Sequence, residues 1–243
     1  MTTAEASLRL VEELPASLVA SLIQQLRGGL DPRMPNPGYQ ARVDDFLRLG
    51  PSCRTELASM LEVALAAKRS RQTAELVWTG PATSVVPVRR TEQVLFDLIQ
   101  SAERKLTVMS FGIFQVPRLV LSLEHALTRH VAIRIVLGDR ESQSDWAIDQ
   151  QRHQLGEKVT AAASLWWWPH ERRLRDAVGC AGLMHAKAAV ADSRTAFLSS
   201  ANLTEAALER NMELGVLIRG GNLPASIDRL IDALLESGEL QAV

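Results

Sequence analysis

LMHAKAAVAD, at residues 183–192, places His185 and Lys187 two positions apart in a run of small apolar residues. On a β-strand, successive side chains point to opposite faces, so this imidazole and ammonium are predicted to share one face. The alternative is a histidine satisfied in the core beside a snorkelling lysine. The chance of this spacing, together with Asp192 and the polar residues of the next strand, is on the order of 10⁻⁵, which favours a functional site.

The two stretches that follow add polar groups to the same region of the predicted sheet. FLSSAN, at residues 197–202, predicts a strand with Ser200 and Asn202 on one face. NMELG, at residues 211–215, places Glu213 on a third strand. One region of the sheet is therefore predicted to gather an imidazole, an ammonium, a hydroxyl, a carboxamide and a carboxylate.

This set of groups suits phosphodiester chemistry. A phosphoryl transition state spreads negative charge over its oxygens, and the side chains of Lys187, Ser200 and Asn202 are donors that stabilise such charge. A neutral imidazole can attack phosphorus when a carboxylate holds its other nitrogen, and either Glu213 or Asp192 is a candidate for that carboxylate. No metal ion or other cofactor is required, because lysine supplies the positive charge.

Composition and charge limit the class of protein. The chain has 243 residues, of which 47% are hydrophobic and 23% charged, with a formal net charge of −1; it therefore lacks a global basic field for nucleic acid. The start, MTTAEASLRL, does not resemble a signal peptide, and no uncharged apolar stretch reaches the roughly 18 residues of a transmembrane helix. Cys53 and Cys180 are too few for a disulfide scaffold or a zinc ribbon. We expect a cytoplasmic protein with reduced thiols and no stable membrane association.

Two regions are predicted from a change in hydrophobic periodicity. Residues 1–72 show helical spacing, with helices expected around 15–26, 40–49 and 52–67. From residue 73 onward, short apolar strands alternate with amphipathic helices, which is typical of an α/β fold. We therefore expect an N-terminal helical region, followed in residues 73–243 by a mixed β-sheet flanked by helices.

The polar residues of the predicted sheet resemble the HKD motif of the phospholipase D superfamily. The positions that match its segments H-x-K-x₄-D, G-S-x-N and N-x-E are His185, Lys187, Asp192, Ser200, Asn202, Asn211 and Glu213. Ser199 stands where the family has the glycine of G-S-x-N, and glycine at that place permits close backbone approach. The resemblance covers roughly residues 75–240 and implies a phospholipase D-like fold.

The resemblance also implies a role for each matching residue. It implies a covalent phosphohistidine intermediate with His185 as the nucleophile, in a reaction that needs no metal ion. It implies that Lys187 and Asn202 bind the phosphate. It further implies that Glu213 orients the imidazole and that Asp192 mainly braces the motif.

A narrower resemblance is to the phospholipase D-like component of the DISARM anti-phage defence system of bacteria. The features that carry it are the helical N-terminal region, the stretch LVWTGP at residues 76–81, the single HKD motif and the chain length. This resemblance implies DNA as a partner and other defence-system proteins as possible partners.

The motif occurs once, although the family mechanism uses two histidines, one as nucleophile and one as general acid for the leaving oxygen. None of the other four histidines has a lysine two residues later. A two-fold homodimer supplies a second His185 across its axis. We therefore expect a homodimer with one composite site at the interface. Assistance by His170, which lies near the motif in the sequence, is the alternative.

The stretch SLWWWPHERRLRD, at residues 164–176, is a second candidate for substrate binding. Its aromatic and basic side chains can stack on bases and pair with phosphates, as in a DNA groove at the rim of the site. The candidate residues are Trp167, His170, Arg172 and Arg173. The alternative is structural: alternate tryptophans are buried in the core, and the arginines lie in a solvated loop.

Together these features predict a metal-independent phosphodiesterase that acts as a DNA nuclease in anti-phage defence. DNA is favoured over lipid because the chain is short, has one motif and lacks a membrane-binding amphipathic or basic segment. The first alternative is a non-catalytic subunit of a defence complex that binds DNA or a partner. The second is a phospholipase.

Overall fold

Two units make up the chain, Met1–Arg71 and Gln72–Val243. The computed structural model describes residues 2–50, 53–81, 85–138 and 146–243. The helices described in the first unit are α1 (Thr3–Glu13), α2 (Ala16–Arg27), α3 (Pro37–Leu49) and α4 (Arg54–Ser70).

Local sequence signals set the starts of these helices. Asn36 caps α3 by accepting a hydrogen bond from the backbone N–H of Gly38 at 2.7 Å, and Pro37 occupies the first helical position. A capping box begins α1, in which the side chains of Thr2 and Glu5 each accept from the backbone N–H of the other. The T-x-x-E spacing of this box marks the start of α1, and Ala6, Leu10 and Val11 form its buried face.

The second unit alternates strands and helices. Its described strands are β1 (Thr73–Thr79), β2 (Lys105–Ser110), β3 (Ile113–Phe114), β4 (Ala132–Leu137), β5 (Ser164–Trp167), β6 (Ala188–Ala191), β7 (Thr195–Ser199), β8 (Leu203–Thr204), β9 (Glu213–Arg219) and β10 (Gln241–Ala242). Its described helices are α5 (Thr91–Ser101), α6 (Pro117–Thr128), α7 (Trp146–Ala162), α8 (Glu205–Glu209) and α9 (Leu223–Glu236). No helix in the described ranges is long and apolar enough to cross a membrane.

Eight of the described strands form one sheet in the order β1-β9-β7-β6-β2-β4-β5-β10, and β3 pairs with β8. β2, β4 and β5 are parallel, whereas β6 is antiparallel to β2 and to β7, and β9 is antiparallel to β7 and to β1. Helices α5, α6 and α7 cover one face. The prediction of an α/β fold with a mixed sheet flanked by helices is confirmed.

The strand directions bring several chain segments to one end of the sheet. The parallel strands β2, β4 and β5 all end there, and β6 begins there because it runs against β2. By the same alternation β7 ends there and β9 begins there. We call this end of the sheet, marked by Ser110, Ala188 and Glu213, the site edge. Because loops at strand ends are where α/β sheets place ligands, the site edge is where function is expected.

The other face of the sheet is covered by α9. Ile231 of this helix packs with Val136 in a small buried cluster. A buried polar network adds to the contact: Arg134 Nη2 lies 3.4 Å from Asp228 Oδ1, which also accepts from the Thr107 hydroxyl at 2.9 Å. Each buried charge thus has a partner, as burial of charge requires.

Candidate functional site

His185 and Lys187 lie in an irregular segment directly before β6, because the strand begins only at Ala188. The prediction of one continuous strand over MHAKAAVA is therefore wrong for its first half. β2 ends at Ser110, so the backbone at His185 has no neighbouring strand with which to pair. Lys187 keeps one sheet-like bond, since its carbonyl accepts from the N–H of Ser199 at 3.2 Å.

The side chains of His185 and Lys187 nevertheless meet. Lys187 Nζ lies 2.9 Å from Nδ1 and 3.2 Å from Nε2 of His185, and it donates to the His185 carbonyl at 2.9 Å. The two ring nitrogens point in different directions, so an ammonium that is close to both of them cannot lie in line with either. The Lys187 ammonium therefore lies against the imidazole ring itself. Burial lowers the pKa of the Lys187 ammonium, and the negative charge of Glu213 opposes this shift. His185 is an exposed residue, so solvent can reach it.

Glu213, the first residue of β9, is bound by two neighbouring side chains. The Ser200 hydroxyl donates to one carboxylate oxygen, and Asn211 Nδ2 donates to the other at 3.2 Å. The Ser200 hydroxyl also accepts from the backbone N–H of Leu214 at 3.1 Å. Ser200 therefore supports Glu213 between the ends of β7 and β9.

Asn202 follows β7, and its backbone neighbours are held on both sides. The N–H of Leu203 donates to the Gly112 carbonyl at 3.0 Å. On the other side, the hydroxyl of Ser199 accepts from the N–H of Ala201 at 3.0 Å, so the residue that replaces the glycine of the HKD pattern stabilises this turn. The Asn202 Oδ1 atom is buried and has no hydrogen-bond partner in the described part of the chain.

Asp192 lies at the opposite end of β6 from His185. Its carboxylate accepts from the backbone N–H groups of residues 103–105 at 2.8 to 2.9 Å, and its φ of 52° begins the turn between β6 and β7. Among the described residues, neither Asp192 nor Glu213 is hydrogen-bonded to the imidazole. Orientation of this ring by Glu213 or Asp192 therefore stays a prediction. A bracing role for Asp192 fits its placement.

The Asp192 carboxylate is expected to make stability depend on pH. Burial raises its pKa, but the three N–H donors outweigh burial and hold the pKa below its ordinary value. Such a group stabilises the fold above its unfolded pKa, and that contribution is lost as pH falls through the folded pKa. We expect Asp192→Asn to lower the free energy of unfolding by about 1–3 kcal/mol near neutral pH, with a smaller difference near about pH 3. Urea unfolding at both pH values measures this, and equal stabilities near neutral pH would contradict the bracing role.

The three consecutive tryptophans pack against buried clusters on both faces of the sheet. Trp166 and Trp168 contact the cluster under α9, and Trp167 contacts the cluster on the opposite face. Arg173 is buried, and its guanidinium donates to the Trp168 carbonyl at 3.0 and 2.7 Å. The prediction of a solvated loop is therefore wrong for Arg173, because this side chain fixes the turn after β5.

The remaining candidates for substrate binding lie just after β5 in a 3₁₀ turn, His170–Arg172. Arg175 Nη2 lies 3.0 Å from Nδ1 of His170, so this imidazole already has a cationic neighbour. Arg172 is exposed, whereas Trp167 is partly buried. Of the four candidates, Arg172 is the one whose side chain is most accessible to a ligand.

Phe111 belongs to the site although no motif marks it. Its ring centroid lies 4.9 Å from that of His185, and Lys187 Nζ lies 5.6 Å from the Phe111 centroid. Phe111 is the first residue after β2. The general rule that ligand-contacting residues follow the carboxyl ends of parallel strands is the signal that points to it.

Comparison with known sequences bears on the family. A family model described as "Cardiolipin synthase, PLD-like domain" matches residues 95–235. The chain is 28% identical over 200 residues to the DISARM protein DrmC of Bacillus paralicheniformis, a match that covers 81% of this chain and 78% of that protein. The predicted resemblance to the phospholipase D superfamily and to its DISARM component is confirmed.

Solved structures show the same fold. Nuc, a phospholipase D family member from Salmonella typhimurium, matches with a TM-score of 0.50 and 17% identity over 71% of this chain and 99% of its own. NucT from Helicobacter pylori matches with a TM-score of 0.51 and 17% identity over 69% and 98%. The phosphatidylserine synthase of Haemophilus influenzae matches with a TM-score of 0.51 and 15% identity over 80% of this chain but 48% of its own.

Proposed function

Because this chain belongs to the phospholipase D-like domain family, whose model matches residues 95–235, we propose that it hydrolyses phosphodiesters with His185 as nucleophile and without a metal ion. The observation that carries this proposal is the contact of 2.9 Å between His185 Nδ1 and Lys187 Nζ at the site edge. An imidazole beside an ammonium, open to solvent at the strand ends, suits a phosphate whose charge the ammonium neutralises.

In the proposed first step, a ring nitrogen of neutral His185 attacks phosphorus, and the bond from phosphorus to the leaving oxygen breaks. Lys187 and Asn202 donate to the nonbridging oxygens, where negative charge develops. Burial, which lowers the pKa of Lys187, also strengthens its attraction to the phosphate, because less water screens the two charges. The product of this step is a phosphohistidine whose phosphorus still carries the other ester group of the substrate.

The leaving oxygen needs a proton, and we propose that a second copy of the chain supplies it through its own His185. Within one described chain, the alternative acid His170 already lies 3.0 Å from Arg175, which does not favour that role. In the second step, the imidazole that gave up its proton takes one from water. That water attacks phosphorus, the phosphorus–nitrogen bond breaks, and the nucleophile is restored.

Exposed apolar side chains near the site edge support docking of a second copy there. Met212 and Leu214, on either side of Glu213 in the chain, are 68% and 52% exposed, and Leu183, just before the motif, is 39% exposed. Large apolar side chains left exposed near a functional site are a feature that protein interfaces use.

DNA is the substrate class that we propose, in cytoplasmic anti-phage defence alongside other defence-system proteins. The relative DrmC is named as a protein of the DISARM system. The exposed guanidinium of Arg172, which follows β5 near the site edge, offers a contact for a backbone phosphate. Phosphate contacts of this kind position nucleic acid without reading its sequence.

Cleavage assays in EDTA test the proposed function. The purified chain is incubated with single-stranded DNA, double-stranded DNA and phosphatidylcholine vesicles. We expect DNA to be cleaved and the lipid to remain intact. Hydrolysis of the lipid but not of DNA would replace the proposed substrate with a phospholipid. DNA binding without cleavage would favour a non-catalytic binding subunit.

A further inference from the structure

The Phe111 ring contacts both members of the proposed nucleophilic pair. Its centroid lies 4.9 Å from that of His185 at an interplanar angle of 49°, a tilted arrangement within the range of centroid distances of aromatic pairs. The Lys187 ammonium lies 5.6 Å from the same centroid, within the range of a cation–π contact. The ring is partly exposed and lies outside the buried clusters of its unit. Core packing therefore does not account for its position.

Contacts made by the residues around Phe111 fix the position of its backbone. The Ser110 hydroxyl donates to the Gly112 carbonyl at 2.8 Å, which ties together the residues on either side of the phenylalanine. A Cβ atom at Gly138 would lie 2.8 Å from Phe111 Cα and 2.6 Å from the Met184 carbonyl oxygen. The missing side chain at Gly138 therefore allows the segment that carries Phe111 to approach the segment that leads into the HKD motif.

We propose that Phe111 is a positioning residue that sets the orientation of the His185 ring for attack on phosphorus, an inference that rests on the proposed function. An imidazole on an irregular, exposed segment has two side-chain torsions to fix, and a ring against it excludes rotamers that turn the nucleophile away. The same aromatic face attracts the Lys187 ammonium and keeps it beside the imidazole. Phe111 thus acts through these two residues.

Kinetics with bis(p-nitrophenyl) phosphate test this role. Phe111→Leu removes the aromatic ring and changes the volume of the side chain only modestly. Phe111→Tyr retains the ring. We expect Phe111→Leu to lower kcat by roughly 10- to 100-fold while KM changes less than about threefold, and Phe111→Tyr to recover most of kcat. Phe114→Leu is the matched control, because this neighbouring ring is 49% exposed, and we expect its kcat to equal that of the wild type.

NMR of histidine-labelled protein tests the same geometry without catalysis. A phenyl ring whose centroid lies 4.9 Å away shifts the His185 ring-proton resonances through its ring current. We expect Phe111→Leu to move these resonances and Phe114→Leu to leave them in place. If the wild type hydrolyses no diester, the proposed function fails and the NMR result alone decides the role of Phe111. Unmoved resonances, or a wild-type kcat in Phe111→Leu, would overturn the inference.

Discussion

Replacement of His185 by alanine is expected to lower the rate of diester hydrolysis by at least about 10⁴-fold. In the proposed dimer, the composite site loses its nucleophile from one subunit and its general acid from the other. No imidazole from the motif then remains at the site to form or resolve the intermediate. The fold is expected to persist, because His185 is exposed and contacts Lys187 and Phe111 rather than a buried cluster. Rates with DNA and with bis(p-nitrophenyl) phosphate, together with the Tm of each preparation, measure this effect.

His125→Ala is the matched control for that variant. His125 is another exposed histidine, and it lies on α6 in a stretch without lysine two residues later. The rate of diester hydrolysis by the His125→Ala variant is expected to equal that of the wild type. A His185→Ala protein that keeps a wild-type Tm and a rate within about tenfold of the wild type would exclude this imidazole as the nucleophile.

Equal mixing of wild-type and His185→Ala subunits is expected to lower the activity to about one quarter of that of the wild type at the same total concentration. Random pairing produces mixed dimers as the commonest species. Each mixed dimer has one imidazole at its composite site, so it lacks either the nucleophile or the general acid. Independent sites would instead leave about one half of the activity.

Differently tagged subunits make this experiment direct, because the mixed dimer can be purified and assayed alone. Light scattering gives the mass of the wild-type particle, and mixing of wild type with His125→Ala gives the reference in which full activity is retained. A mixed dimer with half of the wild-type rate or more would contradict the composite site. A fully active monomer would contradict it as well.

The family and the sheet were predictable because both follow from short-range spacing. H-x-K-x₄-D is a local pattern, and alternating strands and helices imply an α/β fold. The sequence predicts that His185 and Lys187 share one face of a strand, but this is not how the two side chains meet. Their proximity does not come from alternation along a strand, since β6 begins at Ala188. Strand ends depend on where the neighbouring strand ends, and β2 ends at Ser110.

The partners of the polar groups were less predictable, because they come from distant parts of the chain. The spacing within the motif places Asp192 near His185 in sequence, yet a strand separates them, and the carboxylate binds the backbone of residues 103–105. The burial of Arg173 against the Trp168 carbonyl likewise depends on a turn that composition does not reveal. Residue type indicates which chemistry is present, whereas the packing of loops at the site edge decides which groups meet.

Mass spectrometry of the protein, denatured in alkali during the first turnovers of a diester substrate, tests nucleophilic catalysis by His185 most directly. Alkaline conditions are chosen because phosphohistidine is labile in acid. The proposed mechanism predicts a phosphoryl group on His185 of the wild type, carrying the remaining ester substituent of the substrate and formed in EDTA, and none in the His185→Ala variant. Turnover of the diester with the phosphoryl group on another residue, or with no adduct on His185 at any time, would contradict it.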